Sequence, residues 1–485
     1  MDRRIFLKSA GLGLAGLIAG CRSSAFNAID HKTYKQPNFL FLFTDDQRFS
    51  AVNALFNPEV KTPNMDRLVK RGVAFTHAFN QGSWSGAVCV CSRAMLNTGQ
   101  YIYHAQANIE TAPLWGQTFR EAGYDTFMTG KWHNGQATLY KSFSTIGDVG
   151  EGMYPSTPEN GQAYNRPAKG NNWQPHDQSL KGHWMDRNGK IIHSSELWAD
   201  NAISYLEQRA DEGSKVPFFM YVAFNAPHDP RQSPKRFIDM YPIEKISVPK
   251  NFMTEHPFDQ GERYDLRDEK LAPFPRTPEA IKVHLQEYYA IVSHCDEQIG
   301  RILDFLESSG QADNTYIILS SDHGLAVGSH GLMGKQNQYD PSIRMPLVIC
   351  GPYIKGGRRV DDMVYLHSMF ATTCDFAGIP LPPSVEFKSL TPAMNGCPCG
   401  GEKAIFGSYK DYQRMIRTDK YKLIMYPQVK KTQLFDLVKD PDELENLAYK
   451  PQHRDTVYKL FADFKHLQTK VGDTLEINSP FFVGG

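Results

Sequence analysis

The chain has 485 residues, 41% hydrophobic and 22% charged, and its 53 basic and 53 acidic side chains cancel. That balance can bury a large core in one large domain or roughly two to four smaller ones; it excludes a disordered charged tail and offers no bulk charge for nucleic acid. Eight cysteines are too sparse for a disulfide framework, and 38 Gly with 30 Pro point to many turns.

Residues 1–20 read as an address: a basic start, then an apolar run from Ala10 to Gly20 that is too short to span a bilayer. Arg3-Arg4-Ile5-Phe6-Leu7-Lys8 looks like a twin-arginine export signal, and Ile18-Ala19-Gly20-Cys21 resembles a lipobox in which Cys21 is acylated. An ordinary N-terminal helix with a buried cysteine is the plainer reading. Residues 21–36 read as a tether. Arg22 after the cysteine favours the outer membrane, so the expectation is an exported protein, lipid-anchored at the periplasmic face and touching the membrane only through that lipid.

Asn38–Thr44 is a short apolar run ending at Asp45-Asp46, which suits a buried strand with carboxylates at its tip. Thr62-Pro63 opens a helix with Met65, Leu68 and Val69 on one face. A helix ends at Ala122 and a strand follows over Tyr124–Thr129. Leu197–Leu206 is helical, Phe218–Phe224 a strand, and Ile291, Cys295, Ile299, Ile302 and Leu306 keep helical spacing. Thr315–Ser320 and Pro346–Cys350 are further strands. This alternation predicts an α/β fold, a large mainly parallel sheet sandwiched by helices, over residues 37–395.

After about residue 400 the texture changes. Ala404–Ser408, Arg414–Arg417, Tyr421–Met425 and Gln433–Asp436 are short strand-like pieces, and Val457, Leu460, Phe464 and Leu467 mark an amphipathic helix. Residues 396–485 therefore read as a smaller C-terminal subdomain of antiparallel sheet plus helix. Residues 134–193 and 250–278 read as long loops that could wall a substrate, with Tyr154, Tyr164, Trp173 and Trp184 able to stack on sugar rings. Cys397 and Cys399 read as adjacent loop thiols.

In parallel sheets, sites gather at the carboxyl ends of strands. Asp45, Asp46, Lys131, His228, Asp322 and His323 each follow a predicted strand and can converge on one rim. Three carboxylates make a hard-oxygen site suited to Ca²⁺, with Mg²⁺ the lesser choice. Taken singly, Asp45 and Asp46 are helix caps, Asp322 is a turn residue, and Lys335 and Arg231 are surface cations. Cys89-Val90-Cys91 is by itself a metal or redox pair, although no zinc spacing surrounds it.

Cys89-Val90-Cys91-Ser92-Arg93 followed by Thr98-Gly99 resembles the signature of the type I, formylglycine-dependent sulfatases of the alkaline-phosphatase-like superfamily. It departs at Cys91, where proline is commonest. Gly130-Lys131-Trp132-His133, Asn225-Ala226-Pro227-His228 and Asp322-His323-Gly324 followed by Lys335 are similar to further motifs of that family, in the same order. The resemblance implies that a maturation enzyme oxidises Cys89 to formylglycine. It implies a metal held by Asp45, Asp46, Asp322, His323 and residue 89, with Arg93 positioning residue 89. Lys131 and Lys335 would grip the sulfate, His228 would protonate the leaving alcohol, and His133 would assist collapse of the sulfated hemiacetal. The surroundings of His228 are similar to iduronate sulfatases, so Arg231 could meet a substrate carboxylate or second sulfate.

The expected protein is a sulfatase acting on a sulfated polysaccharide or its oligosaccharides. Two alternatives stay open: a phosphonate or phosphodiester hydrolase of the same superfamily, and a noncatalytic glycan-binding lipoprotein whose Cys89 remains a thiol.

Overall fold

The computed structural model describes residues 36–55, 57–150, 163–180, 182–262, 264–397 and 400–482. The export address, Cys21, Tyr154 and Cys399 lie outside the described residues. From Pro37 onward the chain forms one unit. β1 (Asn38–Thr44), α1 (Pro63–Arg71), β2 (Val73–Phe79) and the two-residue β3 (Gly82–Ser83) lead into α2 (Val88–Thr98). Next come α3 (Ile102–Asn108), α4 (Trp115–Glu121), β4 (Asp125–Lys131), α5 (Gln136–Ser142) and β5 (Thr145–Gly150). A hairpin of β6 (Trp184–Arg187) and β7 (Lys190–His193) precedes α6 (Ser194–Asp211), β8 (Phe218–Ala223) and the long α7 (Pro278–Ser308). β9 (Thr315–Ser321), β10 (Arg344–Cys350), β11 (Arg358–Tyr365) and α8 (Met369–Ala377) complete the main layers. β12 (Ile405–Tyr409), β13 (Gln413–Arg417), β14 (Tyr421–Tyr426), β15 (Lys431–Asp436) and α9 (Arg454–Lys470) follow.

The large sheet has eight strands in the order β11-β2-β10-β9-β1-β8-β4-β5. β10 is antiparallel to both of its neighbours, and every other pairing is parallel. β1 shows why the sheet is covered twice. Phe39, Phe41 and Phe43 point into a layer with Trp115 and Phe119 of α4 and Phe370 of α8. Leu40 and Leu42 point into the opposite layer with residues of α1, α6 and α7, including Leu68, Trp198 and Ile299. The strand's two-residue period thus feeds two cores, and a continuous apolar run is what such a strand requires.

The expected mainly parallel sheet between helical layers is therefore present. The sequence reading has no strand at β2 or β11, which pair with each other at one end of the sheet. β2 contains Thr76 and His77, and β11 opens on exposed Arg358 and Arg359, so neither offers a clean apolar run. The segment 134–193 is also no plain loop, since it holds α5, β5 and the β6–β7 hairpin.

The second sheet has the order β15-β14-β13-β12-β3. Its C-terminal strands are antiparallel, but β12 pairs in parallel with Gly82–Ser83 from far upstream. Gly82 has φ +84°, and a Cβ there would sit 1.9 Å from the Ser408 carbonyl oxygen. Only glycine permits that close approach. The small sheet is thereby joined to the entry of α2.

Candidate active site

The ends of four parallel strands and the first turn of α2 meet at one point. Asp45 and Asp46 leave β1, where Asp45 N–H donates to the Ala226 carbonyl (3.1 Å). Asp46 holds a left-handed φ of 68°, a strained backbone for a non-glycine residue. Its N–H donates to Asp322 Oδ1 (3.2 Å). Asp322 leaves β9 with its N–H on the Thr44 carbonyl (3.2 Å), so the tips of β1 and β9 are tied together. Gly130 near the end of β4 has φ +96°, and a Cβ there would lie 1.9 Å from the Ala223 oxygen of β8. That glycine lets β4 close on β8 and deliver Lys131.

Cys89 lies in the first turn of α2 and Arg93 one turn later, both buried. Arg93 donates to the Lys131 carbonyl (2.6 Å), to Asp322 Oδ2 (3.2 Å) and to Asp45 Oδ2 (3.2 Å). One guanidinium therefore ties α2 to three strand ends, where its planar fork suits two carboxylates. Lys131 pairs with Asp45 and reaches Cys89 Sγ at 3.6 Å. His133 Nδ1 lies 3.2 Å from the same sulfur. Lys335 Nζ donates to both Asp46 oxygens at 2.8 and 3.0 Å.

The donor set fits a divalent cation. Single ligand atoms of Asp45, Cys89, Asp322 and His323 lie within 4.8 Å of one another, as do those of Asp45, Asp46 and His228. His323 Nδ1–H donates to the Gly324 carbonyl (2.9 Å). In the neutral ring this leaves a lone pair on Nε2, which stands 3.2 Å from Asp46 Oδ1 and 3.5 Å from Asp322 Oδ1. A lone pair facing two carboxylates is repulsive unless a proton or a cation lies between them. Asp45 Oδ1 and His323 Nε2 are both buried and without a hydrogen-bond partner. Such orphans call for an ion.

The electrostatics match. Burial alone would push the Asp45 carboxyl up, but Lys131, His228, Arg93 and Lys335 outweigh it and hold it well below the usual carboxylate range. Burial wins at Asp46, which is pushed up to about 8 against the pull of Lys335 and His323. Burial opposes the charge on His323, yet Asp322 and Asp46 raise it to about 9. Burial also disfavours a Cys89 thiolate, but Lys131 leads a set of groups that bring the thiol well below its ordinary value. Cys91 diverges: burial pushes it up to about 11, and its sulfur accepts from Ser83 Oγ at 3.0 Å. The surroundings thus favour a thiolate at position 89 and disfavour one at position 91.

Above this floor opens a cavity of about 310 Å³, lined among others by Cys89, His133, His228 and Lys335. His228 Nδ1–H donates to the Asp229 carbonyl (2.6 Å), which fixes the ring. Burial, then Lys335 and Lys131, push this imidazole well below its ordinary value. The rim adds Glu262, Asp265, Arg267, Asp268, Gln336 and Lys410, none of which the sequence reading singles out. Asp268 and Gln336 had only their neighbourhood as a signal, in a suspected wall and beside Lys335. Lys410, in the turn after β12, had none.

The structure brings Asp45, Asp46, Cys89, Arg93, Lys131, His133, His228, Asp322, His323 and Lys335 together. Arg231 is different. It is 1% exposed and absent from the cavity lining, with its guanidinium over Tyr288 and 3.3 Å from His284 Nδ1. Nε and Nη2 of this buried guanidinium have no hydrogen-bond partner. Trp173 and Trp184 are buried at 6% and 5% exposure, so neither offers a free face to a sugar.

A profile described as Sulfatase matches residues 37–379, and one described as N-sulphoglucosamine sulphohydrolase, C-terminal, matches residues 328–470. The chain is 27% identical over 452 residues to an arylsulfatase of Clostridium perfringens, covering 87% of this chain and 92% of that protein. Among solved structures it is similar to a protein in complex with its substrate D-glucosamine-2-N,6-O-disulfate (TM-score 0.73, 23% identity, 91% of this chain and 99% of the other). It is also similar to the phosphonate monoester hydrolase of Agrobacterium radiobacter (TM-score 0.70, 22% identity, 90% and 96%).

Proposed function

The chain belongs to the sulfatase family and hydrolyses sulfuric esters, and from that premise we propose that its substrate is a sulfated carbohydrate, cleaved with formylglycine at position 89 and a divalent metal. One observation carries the reading: Asp45, Asp46, Asp322 and His323 converge with Cys89 around two orphaned buried atoms. Asp45, Asp46, Asp322 and His323 would hold the ion, a hard cation by its oxygen donors, with calcium preferred over magnesium. Bound there, it would supply positive charge where the sulfate ester loads and where charge builds on the leaving oxygen. Formylglycine would supply a hydrated aldehyde as the nucleophile. The conversion needs a maturation enzyme acting on Cys89.

The chain's own side chains do the rest. Lys131 and Lys335, which here neutralise Asp45 and Asp46, would grip sulfate oxygens. Arg93 fixes α2 and so the position of residue 89. His228 holds a proton for the departing alcohol. Burial, and then the cationic lysines, disfavour that proton, and an anionic sulfate between the lysines would favour it. His133, 3.2 Å from residue 89, would accept a proton from that residue. The carbohydrate class is supported by the N-sulphoglucosamine sulphohydrolase profile and the sulfated sugar bound by the structural relative.

The test is a desulfation screen of defined sulfated oligosaccharides, using protein from a host able to convert Cys89, with mass spectrometry of the Cys89 peptide. Aldehyde mass and sulfate release that vanish in Cys89→Ala support the reading. A thiol at position 89 in fully active enzyme overturns it. The likeness to a phosphonate monoester hydrolase gives a second reading, and faster turnover of phosphonate than of sulfate esters would favour it. For the N-terminal segment the proposal is export and lipid attachment at Cys21. Among the described residues no helix is long and apolar enough to cross a membrane. Loss of membrane fractionation in Cys21→Ala tests the anchor.

A further inference from the structure

His228 and Lys335 sit on separate loops, and a short segment of the 250–278 wall connects them. Arg267 donates to Asp229 Oδ1 (3.0 Å) and to Asp268 Oδ1 (2.6 and 3.0 Å). The Asp229 carbonyl in turn accepts from His228 Nδ1–H. Arg267 therefore anchors the residue that orients the imidazole. On the other side, Asp268 Oδ2 accepts from Gln336 Nε2 (2.9 Å), and Gln336 Oε1 accepts from the Lys335 N–H (3.0 Å). Gln336 Nε2 also donates to the Gly86 carbonyl (3.1 Å), just ahead of the helix that carries Cys89. Glu269 accepts from the Met333 and Gly334 N–H groups (2.8–3.1 Å) and pairs with Arg276 at 2.6 Å. The Lys335 loop is thus held by two adjacent carboxylates, both 2% exposed.

We propose that Arg267, Asp268 and Glu269 form a positioning clamp that holds the leaving-group acid His228 and the sulfate-binding Lys335 in register across the cavity. The proposal rests on the roles given to His228 and Lys335 above. Charge-assisted bonds in a buried setting are strong and directional, which suits them to fixing two loops at once. The two arms have different consequences. Loosening the Arg267–Asp229 arm disturbs the acid, so the loss depends on how much the leaving group needs a proton. Loosening the Glu269 arm disturbs the lysine, so the loss falls on sulfate binding whatever the leaving group.

The experiment measures kcat and KM of the matured enzyme on a series of substituted phenyl sulfates, from 4-nitrophenyl sulfate to phenyl sulfate. Arg267→Gln is the main variant, because its side chain is 30% exposed and faces the cavity rim. It should lose about tenfold or more in kcat on phenyl sulfate and under about threefold on 4-nitrophenyl sulfate, since general acid help matters most for poor leaving groups. Arg267→Lys should recover part of that loss. Glu269→Gln should raise KM across the whole series and weaken inhibition by inorganic sulfate about tenfold, a scale set by one charge-assisted bond. An equal loss on every ester in Arg267→Gln, or no loss, overturns the clamp. His228→Asn is the control. If His228→Asn itself shows no leaving-group dependence, the acid assignment falls and takes the Arg267 arm with it. If it shows the dependence and Arg267→Gln does not, the clamp alone falls.

Discussion

The floor and the rim of the cavity carry the same kinds of charge in opposite settings. On the floor, Asp45, Asp46, Asp322, Arg93 and Lys131 are fully buried, and all but Arg93 come from the ends of parallel strands. On the rim, Arg267 and Lys410 are 30% and 32% exposed and come from a loop and from a turn of the second sheet. Coulomb interactions are strong in the buried floor and screened where the Lys410–Glu262 pair meets water. The floor should therefore govern whether chemistry occurs, and the rim which alcohol is accepted. Perturbing the two regions should give effects that differ by orders of magnitude.

The largest effect should come from residue 89. Cys89→Ala should lower sulfatase activity by more than about 1,000-fold, the scale of removing a covalent nucleophile. The substitution removes one small buried polar group and leaves the Arg93 and Lys131 pairs with Asp45 in place, so thermal melting should move by only a few degrees. A variant with a tenth of the activity left would move the nucleophile elsewhere on the floor. Next in size is the cation site. Asp322→Asn should cost about 100-fold or more, comparable with losing one strong electrostatic group. It should also reduce retention of calcium, read by metal analysis of the dialysed protein. Stripping the metal with a chelator should abolish turnover, and calcium or magnesium should restore it.

The floor also sets a pH signature. In the metal-free protein, Asp46 is raised to about 8 and His323 to about 9, both above their ordinary values. A group raised in the folded state stabilises the fold while protonated and loses that contribution as pH rises through the folded value. Between pH 6 and 9 the metal-free protein should therefore become less stable, with Asp46 titrating first. A metal must displace those protons, so its affinity should rise about tenfold per pH unit for each proton released. Thermal melts with calcium and with chelator, taken at pH 6 and pH 8, check both signs. A gap that does not widen with pH would remove Asp46 and His323 from the metal site.

The same contrast explains what the sequence could reveal. Asp45-Asp46 and Asp322-His323 end apolar runs, and strand ends converge by the topology of parallel sheets, so the floor follows from local pattern. Arg93 and Cys89 were carried by a motif whose spacing is one helical turn. Pairing of Gly82–Ser83 with Ser408–Tyr409 is a contact across more than half the chain, and no local pattern encodes it. That pairing is what brings Lys410 to the rim. Arg231 shows the reverse: its neighbour His228 lines the cavity, while its own buried guanidinium lies over the Tyr288 ring, a placement no local pattern encodes.

Lys410 gives the smallest expected effect and the sharpest test of the floor–rim division. It pairs with Glu262 at 2.6 Å, and Glu262 also accepts from the Tyr409 hydroxyl. A partly exposed pair contributes at most about 1 kcal/mol, so Lys410→Ala should leave folding nearly unchanged. Its ammonium lies on the rim, away from the groups that touch residue 89. A sulfated oligosaccharide reaches the rim with sugars beyond the cleaved one, whereas 4-nitrophenyl sulfate does not. KM for the oligosaccharide should therefore rise about threefold, the value of one screened contact, with kcat and the aryl ester unaffected. If kcat fell equally on both substrates, the turn after β12 would belong to the floor, and the second sheet would be part of the catalytic centre rather than of its mouth.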